Sequence, residues 1–220
     1  YYPGLGNFSG LSNWTQINQL EVEQAVADER YGPIFAQYRD IPIDTLTSNP
    51  AAMKMGHRLF INNCAVCHGA AATGSLGFPN LTDEEWLWGG DGTTIETTLR
   101  HGRNAMMPAW SSVLSNQDIK EVTEYVLSLS GREVGAALAS SGQAHFMTYC
   151  TMCHGPEGKG QAMFGAPNLT NDIWLYGNSR ARIEQVIKHG GNGAMPSFES
   201  RLGSDKVHIL AAYVKSLGES

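Results

Sequence analysis

The chain has 220 residues, 42% of them hydrophobic and 16% charged, and a formal net charge of −6; this composition fits a folded globular protein and argues against a disordered one. No run approaches the ~18 consecutive apolar residues that span a bilayer, and no basic segment followed by an apolar one opens the chain. Its 15 basic residues are scattered among 21 acidic ones, which argues against wrapping nucleic acid, where phosphates demand clustered Lys and Arg.

Residues 1–50 read as an extension. "YYPGLGNFSGLSNWTQ" is aromatic, Gly-rich and irregular, "INQLEVEQAVADERYG" predicts a short acidic helix, and "RDIPIDTLTSNP" an extended connector. "NPAAMKMGHRLFINNC" then predicts a helix with Asn49 as N-cap and Pro50 at its first position. Met53, His57, Phe60 and Cys64 fall at helical spacing along one face of it. "CAVCHG" follows at 64–69, "PNLTDEEWLWGG" from Pro79 and "HGRNAMMPAW" at 101–110. A closing amphipathic helix carries Ile119, Val122, Val126 and Leu129.

Past a very short junction around residues 130–133, the same series returns. "CTMCHG" begins at 150, an offset of 86 from its first copy, and "PNLTNDIWLYGN" begins at 167, an offset of 88. The loop "GPEGKGQAMFGA" therefore holds two extra residues, after which the register is fixed. His101 matches His189, Asn104 matches Asn192, Met107 matches Met195, and Tyr125 matches Tyr213. Gly142, Phe146 and Cys150 take the places of Gly56, Phe60 and Cys64, and Val207, Leu210, Val214 and Leu217 form the second closing helix. Two homologous domains in tandem follow, 51–131 and 132–220, after the extension 1–50. No segment shows sustained strand alternation, so the fold class is all-α. Gly56 and Gly142 are expected to let each first helix approach its closing helix, with Phe60 and Phe146 filling the contact. The short junction predicts domains packed against each other.

All four cysteines lie in the two C-x-x-C-H motifs, the signature of covalent haem c attachment. Two intervening residues bring both sulfurs within one helical turn, ready to form thioethers with the two vinyl groups of one porphyrin. Cys64 and Cys67 are thus expected to hold one haem, with His68 on its iron, and Cys150 and Cys153 the other, with His154 on its iron. A redox C-x-x-C pair belongs beside a βαβ pattern, which is absent, and a closed zinc site needs four ligands. For the sixth position, Met107 follows His68 by 39 residues and Met195 follows His154 by 41, the difference being the loop insertion. Ala194 stands opposite Met106, so the duplicated methionine is Met107. A thioether is a soft ligand that raises the potential of haem iron relative to a second histidine. Met107 is expected on the iron of His68 and Met195 on that of His154, each within its own repeat; His101 and His189, which also recur in register, are the rival ligands.

The carbonyls of Pro79 and Pro167 are expected to accept the second ring N–H of the proximal histidines, and Leu81 and Leu169 to pack on the porphyrin. Trp86, Trp174, Arg100 and Lys188 are candidates to face propionates, although surface solvation is the ordinary role of a basic residue. Met53, Met55, Met147, Met152 and Met163 lack partners in register and read as packing or surface.

With the tandem C-x-x-C-H, P-N-L and M-P motifs, each half resembles class I cytochrome c, and the whole chain resembles the CcoP/FixP subunit of cbb3-type cytochrome c oxidase. "YYPGLGNFSGLSNWTQ" carries the most specific likeness, since it is similar to the periplasmic segment after that family's membrane anchor. The resemblance implies a periplasmic dihaem electron-transfer subunit lacking its anchor. It would take electrons from a soluble cytochrome c and pass them to the monohaem and catalytic subunits, doing no bond-making chemistry itself. The alternatives are a dihaem peroxidase or dehydrogenase, which must open one iron to substrate, and a free shuttle cytochrome, which needs no extension.

Overall fold

The computed structural model describes residues 14–218. The chain divides into two compact units, Tyr1–Pro42 and Ile43–Ser220. In the first, helix α1 (Gln16–Ala36) starts at Thr15, whose hydroxyl accepts the Asn18 N–H at 3.0 Å. It is longer than the short helix expected from the sequence, running through Pro33, and none of its residues is buried. Most of the aromatic, Gly-rich segment lies outside the described residues.

The second unit holds both repeats. It opens with one helical turn, α2 (Ile43–Leu46), where the sequence suggested an extended connector; Ile43 and Leu46 are buried, so tertiary contact overrides a run rich in Pro and β-branched residues. The first repeat contributes α3 (Pro50–Asn63), α4 (Ala65–His68), α5 (Gly92–His101), strand β1 (Arg103–Met107) and α6 (Asn116–Leu129). The second contributes α7 (Ala136–Tyr149), α8 (Thr151–His154), α9 (Arg180–His189), strand β2 (Gly191–Met195), α10 (Glu199–Leu202) and α11 (Ser204–Leu217). As expected, Asn49 caps α3, its Oδ1 accepting the N–H groups of Ala51 and Ala52 at 3.0 Å. The buried stripe of α3 is Ala52, Gly56 and Phe60; His57 is exposed, so the buried face is rotated from the one marked by Met53 and His57. The insertion in the second repeat is the 3-10 turn Ala162–Phe164, which lengthens the bridge Ser75–Phe78 into Gln161–Ala166.

The closing helices are exchanged between the repeats. Helix α11 packs on α3 and α5 of the first repeat, and α6 packs on α7 and α9 of the second. A Cβ on Gly56 would lie 2.4 Å from Tyr213 Cβ, and one on Gly142 would lie 1.9 Å from the Glu121 carbonyl oxygen. Phe60 meets Tyr213 with ring centroids 5.7 Å apart, and Phe146 meets Tyr125 at 5.1 Å. The expected glycine and phenylalanine contacts therefore form, but each with the other repeat's closing helix. Loop length supplies the cause. Only six residues separate α6 from α7, and a connection that short folds consecutive helices back on each other as an antiparallel hairpin. Helix α6 thus fills the groove of α7, and α11 is left to fill that of α3.

Glu124 locks this hairpin. It is buried on α6, its Oε2 accepts the Gly135 N–H at 3.0 Å in front of α7, and its carboxylate pairs with Arg180 at the start of α9. The Arg180 guanidinium is the main cause holding the Glu124 carboxyl below the usual 4.5. This contribution is fully present above that ordinary value and is lost as the pH falls through the lower native one. Glu124→Gln is expected to cost about 1–3 kcal/mol at neutral pH and to flatten the acid limb of a thermal unfolding series. An unchanged acid limb would assign that stability to other carboxylates.

The fold is all-α as expected, with two five-residue strands added that the sequence did not announce. β1 and β2 pair antiparallel, Arg103 opposite Met195, Ala105 opposite Gly193 and Met107 opposite Gly191. "RNAMM" and "GNGAM" are poor in β-branched residues, so propensity gave no strand signal; the pairing exists because the chain crosses between the halves here.

Candidate functional site

Each C-x-x-C-H motif is the corner between a long helix and a single turn. Cys64 ends α3, its N–H donating to Phe60 O at 2.8 Å, and then accepts the His68 N–H at 2.9 Å. Cys150 and His154 repeat the pattern at 2.9 Å each. The corner places two thiols and one imidazole on consecutive turns, and none of the four cysteines is in a disulfide. Burial pushes the Cys64 and Cys150 thiols up to about 11, so both stay protonated and uncharged.

The imidazoles are buried and fixed from behind. His68 Nδ1 lies 3.0 Å from Pro79 O, and His154 Nδ1 lies 3.2 Å from Pro167 O. A carbonyl can only accept, so Nδ1 carries the hydrogen and Nε2 keeps its lone pair. Burial holds both rings below the usual histidine range, partly offset by these hydrogen bonds. Each is therefore a neutral, oriented imidazole with a free Nε2 lone pair, the form a metal ligand takes. Two residues on, the proline loops are tied back to the segment after each histidine, Leu81 N–H donating to Ala72 O at 2.8 Å and Leu169 N–H to Gly158 O at 2.7 Å.

Residues not singled out from the sequence shape these loops. Asn80 Oδ1 accepts from the Thr82 N–H and hydroxyl at 2.9 and 2.8 Å, and Asn168 Oδ1 from those of Thr170 at 3.0 and 2.7 Å. These are Asx turns. The signal was the full "PNLT" repeat, whose Asn and Thr have this local role.

Burial alternates along the β1–β2 ribbon, turning Met107 and Met195 inward and leaving Met106 77% exposed on the outer face. Which methionine matters is thus decided by strand period. Met107 packs against the cluster of Val122, Phe146, Leu169, Ile183 and Ile187, which Cys150 and Trp174 also join. This cluster takes Phe146, Cys150 and Leu169 from the second repeat's motifs and none of their counterparts Phe60, Cys64 and Leu81, so the packing runs against pairing Met107 with His68. Beyond Met195, Phe198 N–H donates to Leu99 O at 2.9 Å, tying that chain to the first repeat. His101 and His189 end α5 and α9 as exposed residues, which disfavours them as iron ligands. Arg100 is committed to Glu96 and Glu199 rather than free for a propionate, and Lys188 donates to Asn116 Oδ1 at 3.0 Å.

The two proline loops face each other across a cavity of ≈ 500 Å³ lined by Phe78, Pro79, Trp86, Gln161, Pro167 and Trp174. Trp174 Nε1 is a buried donor with no partner among the described residues, which fits an anionic acceptor such as a haem propionate. With paired free thiols, neutral imidazoles and inward thioethers, the residues present fit two haem c groups.

Comparison with known proteins agrees with this chemistry. A family model described as cytochrome c oxidase, cbb3-type, subunit III matches residues 51–126 and 137–214. The chain is 43% identical over 220 residues to the cbb3-type cytochrome c oxidase subunit CcoP of Rubrivivax gelatinosus, covering all of this chain and 72% of that protein. It is 36% identical over 231 residues to the subunit FixP of Azorhizobium caulinodans, covering 99% and 79%. It is 40% identical over 178 residues to the CcoP of Cereibacter sphaeroides, covering 76% and 61%. No helix among the described residues is long and apolar enough to cross a membrane.

Proposed function

The chain belongs to the cbb3-type cytochrome c oxidase subunit III family, and on that premise we propose that it is the dihaem electron relay of such an oxidase, working on the periplasmic side of the membrane. It takes electrons from a soluble cytochrome c and delivers them to the monohaem and catalytic subunits. Cys64 and Cys67 hold one haem c, and Cys150 and Cys153 a second. When bound, these groups supply a one-electron iron couple.

The residues determine what that couple can do. Pro79 and Pro167 fix the tautomer of His68 and His154, presenting Nε2 to an iron. Met107 serves the haem of His154 and Met195 that of His68, a crossed arrangement supported by the packing of Met107 and Cys150 on one cluster and by the exchanged helices. Trp174 Nε1 donates to a propionate of the second haem. A single observation carries the reading: the fold holds two buried, carbonyl-anchored histidines and two inward-facing methionines, one thioether for each imidazole. That leaves neither metal open to substrate and favours electron transfer over bond-making chemistry.

The experiment is a reductive titration of the haem-loaded protein with a peroxide turnover assay alongside. We expect two electrons taken up per chain, with methionine-to-iron absorption for both haems in the oxidised form and negligible peroxide turnover. Turnover comparable to that of a dedicated peroxidase would replace the relay with the enzyme alternative.

A further inference from the structure

We propose that the β1–β2 ribbon makes the two methionine–iron bonds one cooperative unit, with Gly102 and Gly190 as its positioning residues. The inference rests on the crossed assignment above. Both methionines lie on the inner face of the ribbon, at opposite ends, about 13 Å apart for four residues of strand. The glycine that precedes each strand lies against the backbone of the methionine that ends the other. At the start of β1, a Cβ on Gly102 would stand 2.3 Å from Met195 O and 2.9 Å from Ser197 N. At its end, a Cβ on Gly190 would stand 2.5 Å from Met107 O and 2.9 Å from Ala109 N. Both glycines have positive φ, 70° and 74°, as C-caps of α5 and α9.

The chain beyond each methionine is tied to the opposite repeat as well. Trp110 N–H donates to Ile187 O at 3.0 Å, and the Ser197 hydroxyl donates to Arg100 O. A sulfur that leaves its iron and carries its strand with it must therefore displace Gly190 or Gly102, and with it the strand bearing the other sulfur. Coupling through a shared rigid element with two arrangements is the physical condition for cooperativity between sites.

The test titrates the oxidised, haem-loaded protein with imidazole, whose nitrogen replaces the thioether on iron, and resolves the two sites by their hyperfine-shifted haem methyl signals. In the unsubstituted protein, the species with one methionine displaced should never reach half of the population. In Gly190→Ala, the imidazole concentration for half-displacement of Met107 should fall about tenfold, from the strain of a side chain at positive φ. That of Met195 should fall about fivefold through the ribbon. Gly102→Ala should give the reciprocal pattern. Gly131→Ala is the control, since Gly131 has φ 72° and no atom within 4 Å of its added Cβ; it should move neither site. A one-site effect confined to the haem of Cys150, or a singly displaced species at half or more, overturns the coupling. If the site moved first by Gly190→Ala is the haem of Cys64, the crossed assignment is what fails. Should a glycine variant not take up haem, the titration of the unsubstituted protein still decides.

Discussion

Met107→Leu is expected to remove the sixth ligand from the haem of Cys150, Cys153 and His154, while the haem of Cys64, Cys67 and His68 keeps its own. Leucine conserves the volume of the side chain that packs beside Phe146 and Ile183, so the loss is of coordination rather than of core. The oxidised protein should retain half of its methionine-to-iron absorption, and the potential of the affected haem should drop as the soft thioether is lost. Assignment to one iron comes from the reduced protein, in which each ligated methionine methyl is shifted far upfield by the porphyrin ring current. The resonance that vanishes in Met107→Leu should show cross-peaks to the cluster around Phe146 and Trp174 in the parent protein. Cross-peaks to Phe60 and Tyr213 instead would restore the pairing within repeats. Met106→Leu, on the outer face of the ribbon, should leave both resonances in place.

Gly142→Ala is expected to destabilise the haem-loaded protein by about 3 kcal/mol, at the upper end of overpacking costs. The new methyl group would fall 1.9 Å from Glu121 O and 2.3 Å from its carbonyl carbon. Those are backbone atoms of α6, which no rotamer change can move. The Phe146–Tyr125 contact must open with the helices. For a chain of this size, that corresponds to a melting temperature lower by roughly 10 °C. Gly32, in α1, has nothing within 4 Å of an added Cβ, and Gly32→Ala should gain about 0.5–1 kcal/mol from helix propensity alone. Thermal unfolding of the two variants separates the effects. A Gly142→Ala protein as stable as its parent would mean that the α6–α7 contact is looser than described.

Much of this was legible because it is local. Asn49 and Pro50 announce the start of α3, and the C-x-x-C-H corners are contained in five residues each. Met107 was separated from Met106 by repeat register, which the strand period explains physically: consecutive residues of a strand face opposite ways. What the sequence concealed was partner choice. Two homologous halves carry interchangeable surfaces, since Tyr125 and Tyr213 stand at matching positions and either could meet Phe60 or Phe146. No pattern within one repeat says which closing helix will occupy which groove. The junction held the clue, read only as close packing of domains, although six residues between α6 and α7 already require a hairpin. The strands were missed for a related reason, because the ribbon is imposed by the crossing of the chain and not by β-forming residues. Glu124 and Arg180 match Ala212 and Gly92 in the other half, so the repeat gave no hint of that pair.

The exchange of closing helices also sets an order of assembly. The half built from α6 to α9 is made of elements contiguous in the chain, whereas α3 finds its closing helix more than 140 residues downstream. Contacts of low sequence separation form first, and those that close long loops form late. As the chain emerges, the second half can therefore fold around its cysteines while the first, although synthesised earlier, keeps α3 uncovered until α11 arrives. A haem attaching at Cys64 and Cys67 would have the whole of that interval in which to meet an open site, and α11 is the helix that shuts it.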